Sequence, residues 1–407
     1  MPIALSGVHV WDGVAPTPSR ERCTLRIESG RIAAIGTDPD LVRDAREIPL
    51  EGATALPGLI DAHVHLTLDP ALRTPADQLA VAPEVVARQA AERARRMLGA
   101  GITTVRDLGG GRWTELALRD RIAAGELPGP RVLCAGQPLT SPGGHCHFWG
   151  GEARGTTGID AVVRRQLERG VEWIKVMATG GVFTPGSRTS RPQFDDAEIR
   201  RAVEVANAAG RPVAAHCHGT AGIGQAAAAG VRSVEHCSFA GAGGFGSDLA
   251  PDVVEVLATR ARRGALWVSP TVNAGWGRHL GGDSGPTAFA SRMTRVFEQL
   301  RASGVPLIAS TDAGIPGVEH HRLADALPVM AALAGLSPVE CLRSATSESA
   351  RALGLGDEVG RLRPGFAADV LVCRTDPTRD LAALARPLLV VARGEVGADL
   401  RDQGTLA

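Results

Sequence analysis

Two histidines separated by one residue, His63 and His65, close an apolar run over residues 55–66. A run of this length, opened by Pro57-Gly58, reads as a buried strand. Side chains on a strand alternate faces, so the two imidazoles point the same way and make half of a metal site. Four more residues of ligand type sit in or end later apolar runs: Lys175, His216, His236 and Asp312. Randomly placed polar residues do not give this pattern. The two histidines are therefore read as ligands rather than as ordinary core or surface histidines beside a turn.

Lys175 is the single lysine among 44 basic residues, and the chain has no tyrosine. Losing both types looks like the codon bias of a GC-rich genome, under which a surviving lysine does something arginine cannot. An ammonium in an apolar strand is costly unless paired or deprotonated, and burial lowers its pKa. A neutral lysine can add carbon dioxide and become a carbamate, an anion whose two oxygens can bridge two metal ions. The alternative is a salt-bridged lysine that touches substrate. Asp312 precedes Ala313-Gly314 at the end of a fully apolar stretch. It can ligate a metal and carry a proton to or from metal-bound water.

Other residues are candidates for substrate contact. Gly143-Gly144-His145-Cys146-His147 is a Gly-rich loop carrying His145 and His147, and His218 shares a strand face with His216. Arg188 and Arg191, in a loop without acidic residues, could meet a substrate carboxylate through paired hydrogen bonds or lie solvated. Trp149, Trp276 and Phe183 are candidates for an apolar pocket wall. Cys217 and Cys237 alternate away from their neighbouring histidines and read as small core residues.

Distant run ends can meet only in a closed frame. Strand candidates fall at 56–66, 102–108, 131–136, 173–179, 212–218, 233–239, 266–271 and 306–312. Helix candidates between them fall at 83–99, 113–124, 159–169, 195–209, 219–229, 251–263, 288–303 and 321–334, with a further pair near 337–353. This alternation predicts an α/β fold, a (β/α)8 TIM-type barrel over residues 56–354, whose catalytic groups come from the C-terminal strand ends. Short alternating segments at 3–11, 23–28 and 31–35, and again at 360–372 and 388–393, predict a small β-sandwich-like domain built from both chain ends, residues 1–55 and 355–407.

Composition bounds the partners. Hydrophobic content of 44% and charged content of 22% are those of a soluble globular protein. A formal net charge of zero gives no electrostatic case for nucleic acid. The first residues lack the basic and apolar regions of a signal peptide, and no apolar run is long enough to span a bilayer. Seven cysteines without a Cys-x-x-Cys pair argue against a disulfide framework. The expectation is a cytoplasmic enzyme acting on a small molecule, with no nucleic-acid or membrane partner and with homo-oligomerisation open.

The residues 57–63 with His65, then Lys175, His216, His236 and Ser310-Thr311-Asp312-Ala313-Gly314, resemble the amidohydrolase superfamily along nearly the whole chain. Ala345-Thr346 and the stretch 360–369 are similar to that family's return into its β domain. Ile174-Lys175 with Ala178-Thr179-Gly180-Gly181-Val182 resembles the prolidase-like dipeptidase and imidazolonepropionase-like branch. The resemblance implies two divalent metal ions, zinc by preference. One would be held by His63, His65 and Asp312 and the other by His216 and His236, with carboxylated Lys175 and a hydroxide bridging. It implies hydrolysis of an amide or dipeptide-like C–N bond, with Asp312 moving the proton and His145 polarising the carbonyl. Where dipeptidase relatives have a substrate-contacting Tyr, this chain has His218. A cyclic amidohydrolase or deaminase could use the same site, and a non-hydrolytic lyase or isomerase could use the same barrel.

Overall fold

The computed structural model describes residues 1–281 and 285–404, with side chains described as far as residue 402. Five strands open the chain: β1 (Ile3–Val10), β2 (Cys23–Glu28), β3 (Arg31–Gly36), β4 (Arg46–Pro49) and β5 (Thr54–Pro57). Three close it: β13 (Val370–Cys373), β14 (Pro387–Ala392) and β15 (Glu395–Asp399). They share one sheet in the order β15-β14-β13-β5-β1-β2-β3, with β4 beside β1. The two chain ends meet where β5 runs antiparallel to β13 and Leu56 faces Leu371. Ile3, Leu5, Leu25, Ile48, Leu362, Val370 and Val391 bury against one another there, in an apolar cluster separate from the main core.

Between these ends strands and helices alternate. The strands are β6 (Leu59–Val64), β7 (Ile102–Asp107), β8 (Arg131–Cys134), β9 (Ile174–Met177), β10 (Val213–Gly219), β11 (Ser233–Ala240) and β12 (Trp267–Ser269). Strands β6-β7-β8 and β9-β10-β11-β12 form two parallel groups. Parallel bridges link Leu139 to Val176, Val268 to Leu307 and Val64 to Ala313, which brings the groups into one ring. The last segment, expected as a strand over 306–312, makes these contacts without forming a regular ladder. Ile308 N donates to Val268 O and Ala62 N donates to Ala309 O, but Ala309 N turns away to Ser344 O. Pro306 contributes no donor, and Asp312 has φ 59°, outside the strand region.

The long apolar run that carries His63 and His65 is two strands rather than one. Residues 54–57 pair in the terminal sheet, and 59–64 belong to the ring. Gly58 is the joint. A Cβ there would lie 2.2 Å from Thr103 Oγ1, so only glycine lets the chain pass from sheet to ring at this point.

The covering helices follow the apolar periodicity closely. In the helix Pro83–Gly99, Pro83 occupies the first turn, and Val86, Ala90, Ala94, Met97 and Leu98 form the buried stripe. The helix expected from 195 starts under a capping box, in which Asp195 accepts from Glu198 N and Glu198 returns to Asp195 N. Ser337 and Glu340 do the same for the helix Pro338–Ser344. Among the described residues, no single helix is long and apolar enough to cross a membrane.

Candidate metal centre

The C-terminal ends of the ring strands deliver their polar residues into one cavity of about 500 Å³. His63 and His65 come from the end of β6, Lys175 from β9, His216 and His218 from β10, His236 from β11 and Asp312 from the closing segment. His145, from the loop after β8, joins the lining. His63 Nε2 and His65 Nε2 each lie 3.3 Å from Asp312 Oδ1. On the other side, the ring centroids of His216 and His236 are 4.5 Å apart, and those of His145 and His216 are 4.6 Å apart.

The outward nitrogens of these rings are tied back. Glu235 Oε2 accepts from His63 Nδ1 at 2.9 Å, and Gly109 O accepts from His65 Nδ1 at 2.8 Å. Gly180 O accepts from His216 Nε2 at 3.1 Å, and His236 Nδ1 pairs with Thr271 Oγ1 at 2.8 Å. Each ring therefore keeps its other nitrogen for the cavity, the arrangement that metal-binding histidines adopt. Burial pushes the pKa of His63 down to about 4 and those of His216 and His236 well below the ordinary value, so these rings are neutral and carry a free lone pair. Burial would raise the Asp312 pKa, but His63, His65 and Lys175 outweigh it and hold the carboxyl below its ordinary value.

Lys175 is buried, and its Nζ has no hydrogen-bond partner among the described residues. Burial lowers its pKa to about 8. A buried amine without a partner costs stability unless something completes it. The neutral imidazoles of His63, His216 and His236, with His65, one carboxylate and an unsatisfied lysine amine, together fit a divalent metal centre. Two sets of donor atoms lie within 4.8 Å of one another: His216, His218 and His236, and His63, His236 and Asp312. His236 belongs to both, and His218 stands among the donors as well as beside the substrate space.

His236 has φ 65° and Asp312 φ 59°, left-handed backbone that only a few per cent of non-glycine residues adopt. On β11, Ser233 and Glu235 both reach Arg106 inside the ring, so strict alternation would turn His236 outward. The left-handed turn at His236 brings it back to the cavity.

Of the other expected contacts, Trp149, Trp276 and Phe183 line the cavity. His147 is half-buried and outside the lining, and Arg188 and Arg191 are exposed and outside it. Cys217 and Cys237 are fully buried in the core. Three residues escaped the sequence reading. Glu235 and Arg106 support His63 from below. Arg73, with Lys175 and Asp312, completes the charged lining among the described residues. A carboxylate directly before a ligand histidine was the available signal for Glu235. Nothing in the sequence set Arg73 apart from the other arginines.

The Amidohydrolase family model matches residues 54–397. The chain belongs to the amidohydrolase family. Ochratoxinase of Aspergillus niger is 28% identical over 401 residues, covering 88% of this chain and 78% of that protein. Imidazolonepropionase of Chloroflexus aggregans is 26% identical over 394 residues, covering 87% and 84%. A solved Xaa-Pro dipeptidase with bound methionine in its active site superposes with a TM-score of 0.84 at 26% identity, covering 97% of this chain and 99% of that one. Among amidohydrolases, then, this chain is similar to enzymes with different named substrates. It is a hydrolase of carbon–nitrogen bonds with the α/β barrel architecture of its structural neighbours.

Proposed function

We propose that this amidohydrolase cleaves an amide or dipeptide-like bond with two divalent ions, zinc by preference for this donor set. The observation that carries the reading is the gathering of His63, His65, Lys175, His216, His236 and Asp312 on one cavity, with Lys175 Nζ buried and unsatisfied there. In this reading His63, His65 and Asp312 would hold one ion and His216 and His236 the other, and Lys175, as a carbamate, would supply an anionic ligand to them. When bound, the ions would supply an activated water as nucleophile and Lewis-acid polarisation of the carbonyl.

The chain's own residues do the rest. Asp312 accepts the proton of the nucleophile and passes it to the leaving nitrogen. Thr184 Oγ1 accepts from Cys146 N at 2.8 Å and pairs with His145 Nδ1 at 3.0 Å. These contacts, with Cys146 Sγ at 3.6 Å from Nε2, hold the His145 ring at the cavity, where its Nε2–H tautomer polarises the substrate carbonyl. His218 contacts the substrate beside the second ion. Leu68, Phe183, Phe245, Trp276 and Ile315 make the wall apolar, and Arg73 supplies a positive charge on it. This favours a substrate with an apolar group and a carboxylate.

The terminal sheet, with its own apolar cluster, supports a β-sandwich-like domain from residues 1–55 and 355–407 beside a barrel over 56–354. All seven cysteines are free, which fits a cytoplasmic location. Protein purified without chelators should carry close to two divalent ions per chain. A panel of dipeptides, N-acyl amino acids and cyclic amides should reveal hydrolysis. Protein that holds no metal under non-stripping conditions and cleaves none of the panel would overturn the reading.

A further inference from the structure

One guanidinium crosses the inside of the ring beneath the ligands. Arg106, on β7, is fully buried. Its Nε donates to Ala62 O at 2.7 Å, its Nη1 to Ser233 Oγ at 2.8 Å and its Nη2 to Glu235 Oε1 at 2.8 Å. Its Cζ lies 4.3 Å from the ring centroid of Trp173. These partners sit next to ligands in the chain. Ala62 precedes His63, Glu235 precedes His236, and Trp173 stands two residues before Lys175. The other oxygen of Glu235 accepts from His63 Nδ1 at 2.9 Å.

We propose that Arg106 is a positioning residue for the ion held by His63, acting through Glu235. This rests on the metal reading above and extends it to a residue that touches neither ion nor substrate. The carboxylate on Nδ1–H fixes the tautomer and ring angle of His63 and makes its Nε2 a stronger donor. Arg106 in turn fixes the carboxylate. A planar fork with several N–H donors and a stacking face can hold Ala62 O, Ser233 Oγ, Glu235 and Trp173 at once, and an ammonium cannot. A purely structural ion pair would act differently. Its loss would lower stability and weaken both ions alike. The arrangement around His63 instead assigns the effect to one of the two ions.

The test uses the full-length protein stripped of metal and titrated with cobalt(II). It compares the native chain with Arg106→Lys and Glu235→Gln. Both dissociation constants are read by chelator competition, the ligand field by visible absorption, and the stability of the metal-free protein by thermal unfolding. The expected result is selective. One cobalt ion binds roughly 10–100-fold more weakly in both variants, with a changed visible spectrum, and the other ion binds as in the native chain. Metal-free Glu235→Gln should melt below the native chain, because Arg106 keeps its charge without a buried counter-charge, so the selectivity of the ion loss and the spectrum, not stability, test the positioning role. If Arg106→Lys fails to fold, Glu235→Gln, which keeps the shape of the side chain, decides the question. Unchanged constants and spectra in a folded variant would overturn the proposal, and so would equal weakening of both ions. A native chain that binds no cobalt would instead overturn the metal reading and take this proposal with it.

Discussion

The imidazoles of His218 and His236 stack with centroids 4.5 Å apart and planes inclined by 22°. The far face of His218 lies against Phe245 at 4.7 Å and 9°, and its Nδ1 pairs with Ser238 Oγ at 2.8 Å. Burial pushes its pKa down to about 3, so the ring is neutral. His218 is thus held rigidly beside His236, a residue proposed to hold the second ion. As a substrate contact, it should be replaceable without loss of metal. His218→Phe, which keeps the stack on Phe245, should retain close to two ions per chain while kcat/KM falls about 10–100-fold, roughly 1.4–2.7 kcal/mol. Loss of one ion in this variant would make His218 a ligand instead.

Asp312 sits 3.3 Å from both His63 Nε2 and His65 Nε2. If it both holds an ion and moves the proton, Asp312→Asn should fold and lose turnover by about 10³-fold or more, roughly 4 kcal/mol of transition-state stabilisation. Circular dichroism and steady-state kinetics check this. Near-normal kcat would remove Asp312 from the mechanism.

Lys175 should be carboxylated when metal is bound. Lys175→Ala should bind less metal and lose activity, and short carboxylic acids added to it should restore part of the turnover by occupying the bridge. Lys175→Arg should not respond, because a guanidinium brings positive charge where an anion is needed. A bare amine at Lys175 in a fully metallated crystal structure would refute the carbamate.

Arg73 lines the cavity, whereas Arg188 and Arg191 lie outside it. Gln78 fixes the loop that carries Arg73, taking Asp69 N on its Oε1 at 3.0 Å and donating from Nε2 to Asp69 O at 2.7 Å. No hydrogen bond or ion pair engages the Arg73 guanidinium among the described residues. Arg73→Ala should raise KM for substrates with a carboxylate by about 10-fold or more, as expected for one charge-assisted contact of roughly 1.5–3 kcal/mol. It should leave neutral amides unchanged. Arg188→Ala and Arg191→Ala should leave both alone. Equal effects on charged and neutral substrates would separate Arg73 from carboxylate recognition.

Glu115 offers a stability test away from the ligands. It is fully buried, both its carboxyl oxygens lack partners among the described residues, and burial followed by the charge of Asp107 pushes its pKa to about 8. The folded chain therefore holds a proton there that the unfolded chain releases near 4.5. Between those values the native state binds more protons, so this group costs stability as pH rises, by up to about 1.4 kcal/mol per pH unit. Glu115→Gln removes the titration. Its melting temperature relative to the native chain should climb from pH 5 to pH 8. A difference that stays flat with pH would show that Glu115 is ionised in the fold.

Much of this protein was written in local pattern. The helix expected over 83–99 is Pro83–Gly99, because its apolar stripe and Pro at the first turn need no distant partner to specify them. Likewise, 251–263 and 288–303 appear as Pro251–Arg262 and Ala288–Ala302. The residues that gather on the cavity were legible because a histidine, a lysine or an aspartate in or at the end of an apolar run has few other reasons to be there. The family followed from the same residues.

What the tertiary structure decided is how those residues face. Ile60 and Ala62 pack with Trp173 and Ala214, so strict alternation along β6 would turn His63 away from the cavity. The pairing of β6 with β7 shifts register between Asp61 and Val64, and this irregularity returns His63 to the site. At His236 and Asp312 the left-handed backbone does the same work. A period-two pattern describes a regular strand, and these cavity residues sit where the strands stop being regular. The support of His63 by Glu235 spans 172 residues, and that of Glu235 by Arg106 spans 129. Contacts of that span are set by closing the ring, which no local stretch of sequence encodes.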